Sequence, residues 1–149
     1  MSNHWGTITW YLLHGLSRKI KEDKFNEILD SFILIFIDLL NNLPCPDCSI
    51  HALQFMSKIN FQNIKNKEDL EKIIFELHNH ANKNIKKPVE NISILKMYDK
   101  LNLHNTFISF KKVFNTKGNM GLLIQSYHRK IFVNNFKTWF DQNKHCFNI

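Results

Sequence analysis

Two cysteines separated by two residues, Cys45 and Cys48, are the side chains in this sequence best suited to chemistry. A C-x-x-C pair can form a reversible disulfide or supply half of a zinc site. Pro44 disfavours helical geometry in the residue before it, and Pro46 suits a first helical turn, so the pair is predicted at the amino end of a helix. There the helix dipole favours a thiolate, and position makes Cys45 the more exposed sulfur. Cys146 has no such neighbour and is predicted to be a spare thiol.

Zinc binding is the first alternative for this pair. It requires further ligands, and the candidates are His78 with His80, or His51 near the cysteines. His78 and His80 are two residues apart on a predicted helix, so they point in different directions and do not suit one ion. We therefore predict no metal site. The alternative function that remains is a non-enzymatic, zinc-stabilised helical module that binds nucleic acid or protein.

Redox chemistry at the pair needs an electron acceptor. A thioredoxin-like fold requires strands around the motif, but a long amphipathic helix is predicted before Cys45. In an all-helical redox protein the usual acceptor is a flavin. His78 lies four residues after Ile74 on an apolar helix face, and Asn82 four further on, so inward-facing polar groups with lysines nearby suit a bound dinucleotide. A dithiol–disulfide exchanger without a flavin is the second enzymatic alternative.

The composition and the apolar spacing predict one helical domain to position these residues. The chain has 149 residues, of which 44% are apolar, and only 4 Gly and 3 Pro to form the turns of a many-stranded protein. Helical spacing of apolar residues predicts helices over about residues 5–17, 25–43, 46–59 and 70–85, a short helix over 92–98, and tail helices over 103–114 and 124–140, separated by a break at 117–121. Because the tail is rich in aromatic residues, we expect it to pack onto the core or onto a partner.

The charge balance and the longest apolar run indicate the surroundings of the protein. A net charge of +7 favours an anionic partner, such as nucleic acid, a membrane surface or a phosphate-bearing cofactor. The start of the chain lacks a basic region followed by a long apolar core, so no secretory signal is predicted. The run over residues 32–40 is interrupted by Asp38 and is far shorter than the roughly 20 residues that cross a bilayer. The chain is therefore expected to be soluble and cytoplasmic.

Three separated motifs resemble one known family. The segments WYLLH (residues 10–14), LPCPDCSIH (residues 43–51) and HNHAN (residues 78–82) are similar, in order and spacing, to the W-x-x-x-H, P-C-x-x-C and H-N-x-x-N motifs of the Erv/ALR FAD-linked sulfhydryl oxidases. The opening HWG (residues 4–6) and the Leu-Pro-Cys form look most like the versions encoded by large cytoplasmic DNA viruses. The resemblance covers roughly residues 4–99.

The resemblance implies a fold, a cofactor and a site. The fold would be a four-helix bundle with a short fifth helix, so that residues 1–100 form the FAD-binding oxidase domain and residues 101–149 a helical C-terminal extension. Cys45 and Cys48 would be the redox-active disulfide, with Cys48 next to the isoalloxazine and Cys45 facing the thiol donor. The positions that look like FAD contacts are Gly6, Trp10, His14, His51, His78, Asn79, Asn82, Lys83 and Lys86, with Tyr98 closing over the adenine end.

The resemblance also implies an activity and partners. A dithiol protein would be oxidised, and the electrons would pass through the C-x-x-C pair and FAD to molecular oxygen, giving hydrogen peroxide. The second C-x-x-C of larger family members is missing, so a separate thioredoxin-like or C-x-x-C shuttle protein is the expected donor. A homodimer is expected, whereas neither a membrane nor a nucleic acid is. If the chain is viral, it would act in disulfide formation in the host cytoplasm or the virion.

Overall fold

The computed structural model describes residues 4–114 and 123–149, and these residues form an all-helical fold, as predicted. The helices are α1 (His4–Arg18), α2 (Phe25–Asn41), α3 (Pro46–Met56), α4 (Lys67–Asn84), α5 (Leu103–Phe114) and α6 (Leu123–Asn143). Short 3-10 helices occupy Glu22–Lys24, Phe61–Asn63, Ile92–Lys100 and Lys144–Cys146. The predicted break at residues 117–121 lies outside the described ranges. Within those ranges, no helix is both long and apolar enough to cross a membrane.

The second helix shows why the bundle forms. Its buried residues recur at intervals of three or four along one face: Phe25, Ile28, Phe32, Phe36, Leu39 and Leu40. Burying a large apolar side chain of this kind stabilises the fold by about 1.5–3 kcal/mol relative to leaving it exposed. α2 ends at Asn41 and α3 at Met56, two and three residues before their predicted ends, since the chain already turns at Asn42 and Ser57.

One boundary and one helix type also differ from the prediction. α4 begins at Lys67, three residues before the apolar pattern starts at Leu70. The reason is the side chain of Asn66, which accepts a hydrogen bond from the backbone N–H of Asp69 and caps the helix. The predicted short fifth helix is present as a 3-10 helix over Ile92–Lys100.

Arg18 joins three elements at the end of α1. Its Nε donates to Asp99 at 2.6 Å, and its Nη1 donates to Glu71 at 3.1 Å. Because Glu71 is buried, this guanidinium offsets the cost of removing the carboxylate from water. Lys67 donates to the backbone carbonyls of Arg18 and Ile20, at 3.0 Å each, and so satisfies groups that the end of a helix leaves unpaired.

The C-terminal extension shares its apolar core with the bundle. Phe107 and Phe110 of α5 pack against Phe136 of α6, with ring centroids 5.2 and 5.6 Å apart. The indole N–H of Trp139 on α6 donates to the hydroxyl of Ser31 on α2 at 3.0 Å. One continuous set of buried side chains therefore runs from α1 and α2 into α5 and α6. The expected packing of the aromatic tail onto the core is confirmed.

The last residues of the chain are tied to the segment after α1. The backbone N–H of Lys21 donates to the carbonyl of Cys146 at 2.8 Å, and that of Asn148 donates to Lys19 at 2.7 Å. Cys146 is a free thiol, as predicted, and it is fully buried. The extension is therefore held to the bundle at its end as well as along its helices.

Candidate active site

Cys45 and Cys48 form a disulfide at the amino end of α3, with their Cα atoms 5.2 Å apart. Cys45 is the N-cap residue, and its Sγ accepts the backbone N–H of Cys48 at 3.1 Å. Pro46 occupies the first turn, where its missing N–H leaves no hydrogen bond unmade. The sulfurs thus lie where the backbone N–H of Cys48 and the helix dipole stabilise negative charge, so this turn favours a thiolate after reduction.

A cleft of about 250 Å³ opens beside this turn, between α1, α3 and α4. Cys48 lines the cleft, whereas Cys45 is not among its lining residues. Five of the predicted cofactor contacts also line it: Gly6, Trp10, His51, His78 and Asn82. Much of the remaining wall is apolar and comes from Leu13, Leu40, Leu43, Ala52 and Leu77. One sulfur of the disulfide therefore borders a space with aromatic and aliphatic walls.

Aromatic rings from three elements form a stack that begins at the cleft wall, where Trp10 and His78 line the cleft. The indole of Trp10 lies on the imidazole of His78, with centroids 4.1 Å apart and planes 10° from parallel. His14 Nε2 lies 2.9 Å from His78 Nδ1, within hydrogen-bond distance. On its other side, His14 stacks on Tyr98 at 4.7 Å. The buried Nδ1 of His14 has no hydrogen-bond partner among the residues described.

Burial keeps both histidines of this stack neutral. The pKa of His14 is lowered from near 6.5 to about 3, mainly because burial removes the ring from water and secondly because of the electrostatic effect of His78. The pKa of His78 is lowered to about 4, mainly by desolvation and secondly by the positive charge of Lys87. A neutral imidazole carries one N–H, so one ring donates and the other accepts in the His14–His78 hydrogen bond. The stack therefore adds no positive charge to the cleft at neutral pH.

These pKa values predict that acid destabilises the protein. Below pH 6.5 the unfolded chain protonates both histidines, but the folded chain does not until about pH 4 and pH 3. The unfolded state therefore binds more protons in this window, and the free energy of unfolding should fall by about 2 kcal/mol for each histidine between neutral pH and about pH 5, or of order 4 kcal/mol for the two. Urea unfolding at several pH values measures this slope. His14→Gln should make it shallower, whereas an unchanged slope in that variant would show that other groups cause it.

The other predicted cofactor contacts lie outside the cleft: His14, Asn79, Lys83, Lys86 and Tyr98. Asn79 hydrogen-bonds the backbone of Glu90 through both its amide atoms, at 2.9 and 3.1 Å, and thereby fixes the loop after α4. Tyr98 is buried and supports His14 from behind. Lys83 and Lys86 are exposed at the end of α4.

Trp5 and Lys87 are among the cleft residues that were not predicted contacts. Trp5 directly precedes Gly6 at the start of α1, where the apolar pattern indicated only a packing role. Lys87 lies beyond the end of α4, so the helical spacing that placed His78 and Asn82 on one face does not extend to it. A turn at the end of α4 places Lys87 at the cleft. The backbone N–H of Lys87 donates to the carbonyl of Asn82 at 2.8 Å.

This turn requires Lys86 to adopt a strained backbone conformation. Its φ is 59°, in the left-handed region that favours glycine, and its N–H donates to the carbonyl of Lys83. We expect Lys86→Gly to raise the free energy of unfolding by about 1 kcal/mol, because glycine adopts this conformation without strain. Chemical denaturation with Lys83→Gly as the control measures this, since Lys83 is helical and its replacement should destabilise. A destabilised Lys86→Gly protein would contradict the argument.

Residues 7–105 match the Erv1/Alr family, over a range that contains the disulfide, the ring stack and all the cleft residues except Trp5 and Gly6. The chain belongs to the Erv1/Alr family. Two similar proteins are FAD-linked sulfhydryl oxidases of African swine fever virus, from the isolates Pig/Kenya/KEN-50/1950 and Tick/Malawi/Lil 20-1/1983. Each is 32% identical over 91 residues, which cover 58% of this chain and 71% of the relative. No solved structure is a significant match.

The residues that line the cleft of this Erv1/Alr family member fit FAD. A Cβ atom at Gly6 would have no neighbour within 4 Å, so this residue borders open space. The stacked rings of Trp10 and His78 both line the cleft and offer flat surfaces to an aromatic ring system. Lys87 at the cleft, with the exposed Lys83 and Lys86 nearby in sequence, provides positive charge for a pyrophosphate.

Proposed function

We propose that this chain oxidises protein dithiols and passes their electrons through the Cys45–Cys48 disulfide to FAD and then to oxygen, which leaves as hydrogen peroxide. The chain is an FAD-linked thiol oxidase of the Erv1/Alr family. One observation supports the proposed path above all others: Cys48 lines the aromatic cleft, while its bonded partner Cys45 caps α3 and does not line it. The donor and the acceptor can therefore reach different sulfurs of one disulfide.

The residues that would hold FAD fall into two groups. Those lining the cleft would surround its ring system: Gly6, Trp10, His51, His78 and Asn82. Lys87, with Lys83 and Lys86, would face its phosphates. His14 and Tyr98 would act from behind, by keeping the His78 ring against Trp10. When bound, FAD supplies a two-electron acceptor that oxygen can return to its oxidised form.

The cysteines carry out the exchange that precedes electron transfer. A substrate thiolate attacks Cys45 Sγ, the Cys45–Cys48 bond breaks, and Cys48 leaves with the electron pair as a thiolate at the edge of the cleft. The second substrate thiol then attacks the mixed disulfide and releases Cys45, whose charge is stabilised by the N–H of Cys48. The substrate leaves as a disulfide, and its two thiol protons are released. The reduced pair then holds the two electrons beside the site proposed for the flavin.

Two measurements on the purified chain test this proposal together. Flavin absorption bands and oxygen consumption with dithiothreitol are the expected results. A colourless protein with one zinc ion per chain would instead favour the helical module that binds nucleic acid or protein. A protein that exchanges disulfides without consuming oxygen would favour the flavin-free exchanger. Either result would overturn the proposed electron path.

We further propose a homodimer and a separate thiol donor. Leu34 on α2 is 72% exposed, and Ile37, three residues further along the same helix face, is only partly buried, so these two neighbouring apolar side chains suit an interface between copies. Light scattering should give the mass of two chains for the wild type and of one chain for Leu34→Glu. A wild-type monomer would contradict the dimer.

Because the similar proteins come from a virus, we propose that the thiol donor is a thioredoxin-like or C-x-x-C protein of a viral disulfide-formation pathway, in the host cytoplasm or the virion.

A further inference from the structure

A second groove, of about 550 Å³, lies on another side of the disulfide turn. Leu43 and Pro46, which bracket Pro44 and Cys45 in the chain, line it. One wall comes from the end of α2 and the start of α3, and the other comes from α6. Because α6 begins at Leu123, this second wall lies outside the range that matches the family.

Apolar side chains face this groove from both walls. Ile50 on α3 is 53% exposed, and Ile131 on α6 is 42% exposed, although both carry large aliphatic groups. Isolated exposed apolar residues are common, but two that line one groove beside a redox disulfide form a surface suited to an apolar contact. Leu43, two residues before Cys45 in the chain, also lines this groove.

Part of the groove's polar lining suits a polypeptide backbone, beside the ionisable side chains of Asp38, His128 and Arg129. Its amide side chains come from both walls: Asn41 and Asn42 at the end of α2, and Gln125 and Asn135 on α6. Amides can donate to and accept from peptide groups, so their pairing with apolar positions resembles the way extended segments are bound in other grooves. A small dithiol would touch little of this surface, whereas a protein segment would contact both walls.

We propose that this groove binds an extended, cysteine-bearing segment of the protein substrate and brings its thiol to Cys45, with α6 selecting among substrates. The inference rests on the proposed function, because the segment is useful only if Cys45 accepts the attack. In that step the substrate sulfur bonds to Cys45 Sγ and Cys48 Sγ leaves as a thiolate, as described above. The C-terminal extension thereby contributes to substrate recognition.

The test compares a protein substrate with a small one. The value of kcat/KM is measured for fully reduced ribonuclease A and for dithiothreitol, and the ratio of the two is the readout. Ile131→Glu, which puts a charge on the apolar wall, should lower this ratio about tenfold. His128→Glu changes a second exposed lining residue of α6 and should lower it in the same direction. Ile124→Glu is the matched control, because Ile124 is 71% exposed on the same helix but does not line the groove.

The outcomes separate this inference from the proposed function. A ratio lowered by Ile131→Glu and His128→Glu, but not by Ile124→Glu, supports the groove. Oxidation of dithiothreitol with an unchanged ratio in both groove variants overturns the groove and leaves the proposed function standing. A change from dimer to monomer in Ile131→Glu would make the groove an interface between copies and overturn the inference. A wild-type chain that oxidises neither substrate overturns both.

Discussion

Cys48→Ser is expected to purify with bound FAD but to lose thiol oxidase turnover by more than about 1000-fold. Cys48 is the disulfide sulfur that lines the cleft, so its loss removes both the disulfide and the group placed to deliver electrons. The residues proposed to hold the flavin are untouched by the change. Oxygen consumption with dithiothreitol and the flavin content of the purified protein measure the two halves of this expectation.

Matched cysteine variants show whether the effect belongs to the disulfide. Cys45→Ser should be as inactive as Cys48→Ser, because neither single cysteine can form the disulfide that a substrate attacks. Cys146→Ser should keep its activity, since Cys146 is a free thiol buried in the extension. Undiminished peroxide production by Cys48→Ser would refute the assigned role. An equally inactive Cys146→Ser protein that is still folded would show that a third thiol takes part.

Phe136→Ala is expected to lower the free energy of unfolding by about 3–5 kcal/mol, although Phe136 lies in the extension. Its side chain is only 1% exposed and packs against Phe107 and Phe110 at centroid distances of 5.2 and 5.6 Å. Phe132 and Trp139 contact the same ring at 5.5 and 5.7 Å. Truncation to alanine would leave a cavity among rings that cannot all move inward, and such a loss is a large part of the stability of a domain.

The control for this change is an exposed residue of the same helix. Tyr127→Ala on α6 should alter the unfolding free energy by no more than about 0.5 kcal/mol, because surface substitutions away from packing contacts are usually neutral. Both variants are compared with the wild type by urea denaturation. A loss below about 1 kcal/mol in Phe136→Ala would show that the extension is peripheral to the core. Two separate transitions in the wild type would likewise separate the extension from the bundle.

The helices could be predicted because their apolar residues repeat at local intervals. The stripe from Phe25 to Leu40 located α2 to within a few residues, and the same spacing located α5 and α6. Caps and polar bridges were harder to predict, because they depend on single side chains. The cap at Asn66 makes α4 begin three residues before the first apolar residue of its pattern, Leu70. Arg18 bonds Glu71 and Asp99, which lie 53 and 81 residues away in the sequence.

The candidate site was predictable where its residues stand on one helix face, and less so elsewhere. Trp10 and His78 lie on helical faces that point into the cleft. Lys87 reaches it through the left-handed turn at Lys86, a conformation that the spacing of residues does not reveal. The second groove was beyond prediction, because its walls are α6 and the disulfide turn, far apart in sequence.

In the proposed electron path, the Cys45–Cys48 disulfide delivers electrons to a flavin in the adjoining cleft. Anaerobic titration of the purified chain with dithiothreitol, followed by visible absorption, tests it most directly. The flavin bands of the wild type are expected to bleach as dithiol is added and to return when air is admitted. Thiol oxidation that leaves the bands unchanged, or a purified chain that has no flavin and binds none when FAD is added, would contradict it.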